Sequence, residues 1–339
     1  MFKFRSFVSA AALAVAMTSM SGAMAAPVLE QSTQKFITSL AGSEPIYKKT
    51  PEAARELLHN AQSTPAVLPQ ASVEDRKLAV GPTGETRIRI IRPVGAVGSL
   101  PVIVYFHGAG WVMGDTTTHD RLVRQLAVGA QAAVVFVDYQ RSPEARYPVA
   151  IEQDYAVTKY VADHPAEFNV DASRLAIAGD SVGGNMAAVV SLMAKERKGP
   201  AIKAQLLFYP VTAAAMDNGS YREFADGPWL TKPAMAWFWN AYLPDVKARA
   251  DIHVSPLNAT VDQLRGLPQA LVITDENDVL RDEGEAYAHK LTEAGVTVAA
   301  TRYLATIHDF VMLNALAETP AAKAAMQQAT SFLRDAFAR

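Results

Sequence analysis

Six short apolar runs frame the chain: residues 101–106 (PVIVYF), 132–138 (AAVVFVD), 174–178 (RLAIA), 204–209 (AQLLFY), 269–274 (QALVIT) and 298–304. Between them lie longer stretches of helical period, such as 121–129, 149–161 and 185–195. A strand buried on both faces shows no polar alternation, so its sequence is a nearly continuous apolar run. Strands of that kind alternating with helices predict an α/β fold, a mostly parallel central sheet wrapped by helices. Two earlier runs, 73–80 and 85–92, flank Gly81-Pro82-Thr83-Gly84 and predict an antiparallel hairpin that makes the sheet mixed.

The rest of the chain surrounds that frame. Lys3 and Arg5, an apolar run over 7–17 and Ala23-Met24-Ala25 have the layout of a secretory signal peptide over residues 1–25. The apolar run is shorter than the roughly 20 residues a membrane span needs. The expectation is cleavage after Ala25 or Ala26, export to the periplasm or beyond, and no stable membrane insertion afterwards. The mature part, 26–339, reads as a single domain. Residues 27–62 are amphipathic and helical, and residues 216–251 interrupt the strand–helix alternation with Trp229, Trp237, Phe238, Trp239 and Tyr242. A connection that long within a compact domain is usually functional, so both segments are expected to form a cap over a site.

Charge and composition narrow the partners. With 32 Lys and Arg against 34 Asp and Glu, the net charge of −2 gives no electrostatic handle for nucleic acid. The chain has no Cys, which removes thiolate catalysis, disulfides and Cys-type metal sites. No H-E-x-x-H motif or close histidine cluster occurs, and the glycine turns lack a dinucleotide-binding context, so no metal and no cofactor is expected.

Chemistry is concentrated in three places. Gly179-Asp180-Ser181-Val182-Gly183 follows one apolar run and opens a helical stretch, the strand–turn–helix setting of a nucleophile elbow. Such a turn strains the serine backbone and presents its hydroxyl at the C-terminal edge of the sheet. His107-Gly108-Ala109-Gly110-Trp111 follows the strand at 101–106, where a glycine-rich turn can aim N–H groups at a developing oxyanion. The expected donors are Gly108, Ala109 and Val182, with His107 shaping the turn. The serine needs a base held in one tautomer by a carboxylate. His308 sits just past the last strand, whereas His59, His119, His164, His253 and His289 read as surface or packing residues. Asp275, Glu276 and Asp278 all follow the strand at 269–274, and spacing does not choose among them. The order Ser…Asp…His is that of an α/β-hydrolase.

From about Thr83 onward these residues resemble the bacterial hormone-sensitive-lipase-like esterases, family IV of the lipolytic enzymes. HGAGW is similar to that family's H-G-G-G-x turn, GDSVGGN to G-D-S-A-G-G-N, and 138–144 (DYQRSPE) to D-Y-R-L-A-P-E. DVLRDE resembles D-P-L-R-D-E, whose first residue is the triad acid, so the resemblance selects Asp278; His308 matches the family's H-x-F histidine. It implies a serine carboxylesterase acting on small-molecule, short-chain esters through Ser181, His308 and Asp278. Activity is expected to fall below roughly pH 6–7, because a protonated imidazole cannot accept the serine proton. Trp111, Asp180, Glu276 and Trp229 are expected to support the site or line its pocket. Two departures stand out. Ala109 replaces a glycine, tolerable where its φ is negative, and Val279 replaces the proline that presets the acid's turn. Related plant gibberellin receptors keep the fold as non-catalytic binding proteins but lose the histidine. Acyl transfer or amide cleavage would use the same triad, and the apolar C-terminal stretch 321–337 is expected either to cover the sheet or to form a homodimer face.

Overall fold

The computed structural model describes Met1 and residues 26–339; the expected signal peptide therefore lies outside the described residues. The antiparallel start is β1 (Ala71–Leu78) and β2 (Thr86–Pro93), registered Leu78 opposite Thr86 across the predicted turn. The apolar runs become β3 (Leu100–Phe106), β4 (Ala133–Asp138), β5 (Val170–Asp180), β6 (Ala204–Phe208), β7 (Gln269–Asn277) and β8 (Val298–Ile307). They form one eight-stranded sheet in the order β1-β2-β4-β3-β5-β6-β7-β8, parallel from β4 to β8. Val102 to Phe106 and Leu175 to Ala178 are fully buried. Burial on both faces is what made those strands read as unbroken apolar runs.

Helices cover both faces. In chain order they are α1 (Gln31–Ser39), α2 (Pro51–Ala61), α3 (Asp120–Ala130), α4 (Val149–Asp163), α5 (Val182–Glu196), α6 (Gly219–Glu223), α7 (Lys232–Tyr242), α8 (Val261–Leu264), α9 (Arg281–Glu293) and α10 (Pro320–Ala338). Thr50, Thr231 and Thr319 each cap a helix whose first turn holds a proline. The hydroxyl takes an orphan N–H, and the proline lacks one to orphan. The apolar face of α10, including Ala325, Met326, Ala329 and Leu333, packs against the body beside α3. It covers the sheet. Among the described residues no helix is long and apolar enough to cross a membrane.

The two segments expected to form a cap are tied down at several points. Arg55 of α2 donates to the carbonyls of Val112 (2.8 Å) and Ser142 (3.1 Å) and pairs with Glu144. Gln62 donates to the Met312 carbonyl at 3.0 Å and accepts from the Asn314 N–H at 2.8 Å. At the far end of α7, Tyr242 accepts the Tyr147 N–H at 3.0 Å.

Candidate active site

Parallel strands place their following loops at one edge of the sheet. Ser181 follows β5, Asp278 follows β7, His308 follows β8, and the glycine-rich turn follows β3. Ser181 has φ 55° and ψ −120°, a conformation that L-residues adopt only under constraint. The constraint is visible. Its N–H donates to the Phe208 carbonyl at 2.9 Å, and its own carbonyl accepts from Val211 and Asn185. A Cβ on Gly183 would lie 2.0 Å from the Phe106 carbonyl oxygen, so only glycine lets α5 start this close to β3.

The three side chains converge. His308 Nε2 lies 2.9 Å from Ser181 Oγ, and His308 Nδ1 lies 2.8 Å from Asp278 Oδ2. All three are buried. The Leu280 N–H donates to Asp278 Oδ1 at 3.1 Å, and Ser220 Oγ donates to the Val279 carbonyl at 2.7 Å. Those bonds orient the carboxylate in a turn that lacks the family's proline. Among the three candidate acids, geometry singles out Asp278. Glu276 turns away and accepts the Ala305 N–H at 2.8 Å, bracing the strand that leads to His308. Asp275 is buried near Asp278 and His308, their closest polar atoms all within 4.8 Å, but it makes no hydrogen bond. Burial and the neighbouring Asp278 charge raise its pKa well above the usual carboxylate range. Glu283, also buried, is pushed up to about 8, although it accepts N–H bonds from Thr212 and Ala213.

Burial alone would lower the His308 pKa, but the Asp278 and Asp309 carboxylates outweigh it and raise it to about 10. His107 moves the other way. Burial, with the charge of His119, lowers it to about 3. It stacks on Tyr139 with ring centroids 4.0 Å apart, and Tyr139 Oη donates to its carbonyl at 2.8 Å. His107 is thus a neutral spacer within the turn.

The oxyanion turn requires two corrections. The Gly108 N–H, expected to face the substrate, instead donates to Asp180 Oδ1 at 3.0 Å. Asp180 also accepts from Tyr105 Oη at 2.5 Å and faces His119 Nε2 at 3.3 Å. The N–H groups of Ala109 and Gly110, which line the cavity with Ser181, and of Val182 at the start of α5 have no protein acceptor among the described residues. Second, Ala109 has φ +75°, not the negative value its methyl would prefer. It is held there while the next residue, Gly110 at φ +69°, packs so closely under Phe238 that a Cβ would lie 2.0 Å from that ring. Trp111, fully buried, supports the site from behind. It stacks on Tyr242 (centroids 4.1 Å apart, 1° between planes) and meets Trp239 at a tilt of 51°, fastening α7 to the turn.

A cavity of about 760 Å³ opens over Ser181 and His308. Its walls include Phe36 and Leu57 from the first covering segment, Trp229, Met235 and Phe238 from the second, and Ala109 from the turn. Two residues at this site carry no local signal in the sequence. His119, expected at the surface or in packing, is packed fully inside and paired there with Asp180. Asp309, next to His308, receives Trp229 Nε1–H at 2.9 Å.

A serine on a strained strand–helix turn, reached by an imidazole and a carboxylate from later strands of a parallel sheet, defines an α/β-hydrolase. The family model described as alpha/beta hydrolase fold matches residues 103–312. The chain belongs to that family. Similar proteins agree over nearly its whole length. The thermostable esterase from Pseudomonas putida ECU1011 is 50% identical with a TM-score of 0.90, the match covering 92% of this chain and 98% of that one. A fungal esterase from Rhizomucor miehei is 39% identical with a TM-score of 0.87, over 92% and 98% of the two chains. Carboxylesterase NlhH of Mycobacterium tuberculosis is 36% identical over 312 residues, 91% of this chain and 95% of that protein.

Proposed function

We infer that the protein is a serine carboxylesterase that cleaves small-molecule esters. The observation that carries this reading is the line of contacts Ser181 Oγ–His308–Asp278, at 2.9 and 2.8 Å, beneath three N–H groups with no protein acceptor. Ser181 Oγ attacks the ester carbonyl carbon as its proton passes to His308 Nε2. The Ala109, Gly110 and Val182 amides hold the oxyanion, in a site where few waters compete for it. The imidazolium then gives its proton to the leaving alkoxide, and water repeats the sequence on the acyl-enzyme. Asp278 keeps Nδ1 protonated, so that Nε2 is the acceptor.

The leaving group must lie beside His308, and the acyl group therefore points away from it. The Ala109 methyl and the Phe238 ring over Gly110 narrow the turn, which supports a preference for short acyl chains. The cavity is larger than such a chain requires, and that space serves the alcohol part or its entry. The segments 27–62 and 216–251 act as the cap. A fluorophosphonate probe should label wild type and not Ser181→Ala, whose turnover should fall by about 10⁶-fold. Retained turnover in that variant would end the reading. A nitrophenyl ester series should peak at short acyl chains, and a maximum at laurate or longer would overturn that part. We also propose export, supported by Lys3, Arg5, the apolar run and Ala23-Met24-Ala25. Intact mass of protein from the periplasm or medium should begin at Ala26 or Pro27, and a start at Met1 would refute it.

A further inference from the structure

Asp309 is an acid beside His308 to which the mechanism above gives no task. It lies on the Nε2 side of the imidazole, with Oδ1 3.5 Å from that nitrogen. Its Oδ1 has no hydrogen-bond partner although the side chain is buried. Its Oδ2 accepts Trp229 Nε1–H at 2.9 Å. Trp229 belongs to the second covering segment, and its ring meets Phe36 of the first, centroids 5.3 Å apart. The backbone at Asp309 is left-handed, φ +68°, where a residue with a side chain is held at a cost. The geometry therefore combines a buried acceptor without a donor, a strained backbone and a tether to both halves of the cover.

We propose that Asp309 is a second positioning carboxylate for His308, steadying the Nε2 side of the imidazolium, and that Trp229 ties this carboxylate to the cover. The proposal rests on the reading of His308 as the base. When Ser181 gives up its proton, the new Nε2–H⁺ lies between Oγ and Asp309, and the free oxygen of Asp309 stabilises the charge. The same oxygen makes the resting imidazole harder to deprotonate, so the base comes free at higher pH than an isolated histidine. The other groups facing His308 are Asp278 and Asp275 from the β7 side, Glu283 of α9, Ser181, and Tyr209, whose ring meets the imidazole edge-on at 4.8 Å. Asp309 itself faces Asp180 and His119 across the base of the site. Burial raises its own pKa, while His308 and the Trp229 N–H pull it back.

Asp309→Gly separates charge from strain, because glycine suits the left-handed backbone while deleting the carboxylate. Its acid limb in kcat/KM for nitrophenyl acetate should move down by at least about 1 pH unit, the shift a charge at this distance gives even with the screening of water. NMR titration of the His308 ring in the resting enzyme should move by the same amount, and Asp309→Asn should behave alike. Trp229→Phe, which makes Asp309 easier to protonate, should shift the limb in the same direction by less, and no further in an Asp309→Gly background. An unshifted limb and ring titration in a folded Asp309→Gly enzyme that still labels at Ser181 overturns this proposal alone. An equal Trp229→Phe shift in both backgrounds overturns the coupling to the cover. Loss of the Ser181 requirement instead overturns the hydrolase reading on which both stand.

Discussion

Asp278→Asn offers a sharp test of the site because the structure dictates which way the new amide must turn. Asp278 Oδ1 accepts the Leu280 N–H at 3.1 Å, and Oδ2 faces His308 Nδ1 at 2.8 Å. In asparagine one of these positions becomes an NH2 group. Turned toward Leu280 it would set two donors against each other, so the amide oxygen stays there and the NH2 faces His308. Nδ1 must then be the acceptor, which places the imidazole proton on Nε2, against Ser181 Oγ. The base is now in the tautomer that cannot take the serine proton. In a comparable triad that exchange lowers kcat by about 10⁴-fold, some 5 kcal/mol at 1.36 kcal/mol per decade. The assay is nitrophenyl acetate turnover at a pH where wild type is on its plateau, alongside thermal unfolding to show that the fold persists. Asp275→Asn is the control: the Asp275 carboxyl makes no hydrogen bond to His308, so its rate should stay within about threefold of wild type. If Asp278→Asn kept more than about a tenth of the activity, another group would be orienting the imidazole and the tautomer argument would fail.

Three further outcomes follow from the same geometry. Because His308 must be neutral to accept a proton and its pKa is raised to about 10, kcat/KM should still climb between about pH 8 and 9, above the ordinary imidazole range near 6.5; a profile already flat from about pH 7 would contradict the raised value. Gly183→Ala sets a methyl 2.0 Å from the Phe106 carbonyl oxygen, so the elbow must shift, and kcat/KM should drop by about 10²-fold or more in protein that still folds; unchanged kinetics would show that β3 and α5 are not in fixed contact. Arg55→Ala removes the bonds from α2 to Val112, Ser142 and Glu144, which should cost about 1–3 kcal/mol in unfolding experiments and quicken protease cleavage near residues 40–50; equal cleavage rates would mean the segment is held elsewhere.

The strands were legible in proportion to their burial. Residues 101–106, 132–138 and 204–209 lie within the sheet, and their apolar runs match β3, β4 and β6 to within a residue. The run at 174–178 marks only the second half of β5, because Asp171 to Arg174 lie at the sheet margin and keep a polar sequence. β8 is an edge strand with Ala299, Ala300, Arg302 and Leu304 exposed. Its pattern is diluted, and β8 runs three residues beyond the predicted end. The order of strands was not legible. β4 lies between β2 and β3 because its connection through α3 crosses back, and no local pattern records that crossing.

At the site, a motif shows which turn will be present but not which of its groups are already engaged. Ser181 and His308 could be read individually, since each stands alone in a position that parallel topology brings to the sheet edge. The oxyanion donors could not, because a backbone N–H has no sequence identity and its direction depends on a neighbour far along the chain. Asp180 is that neighbour. Lying just before the nucleophile, it takes the Gly108 amide and moves the open donors one residue on, to Ala109 and Gly110. His119 offsets its buried charge, and Tyr105 supplies another hydrogen bond. Burying Asp180 without those partners would be costly, so the four residues act as a unit. The aspartate of GDSVG and the first glycine of HGAGW are therefore two ends of one contact, visible only when the two motifs are read as a pair.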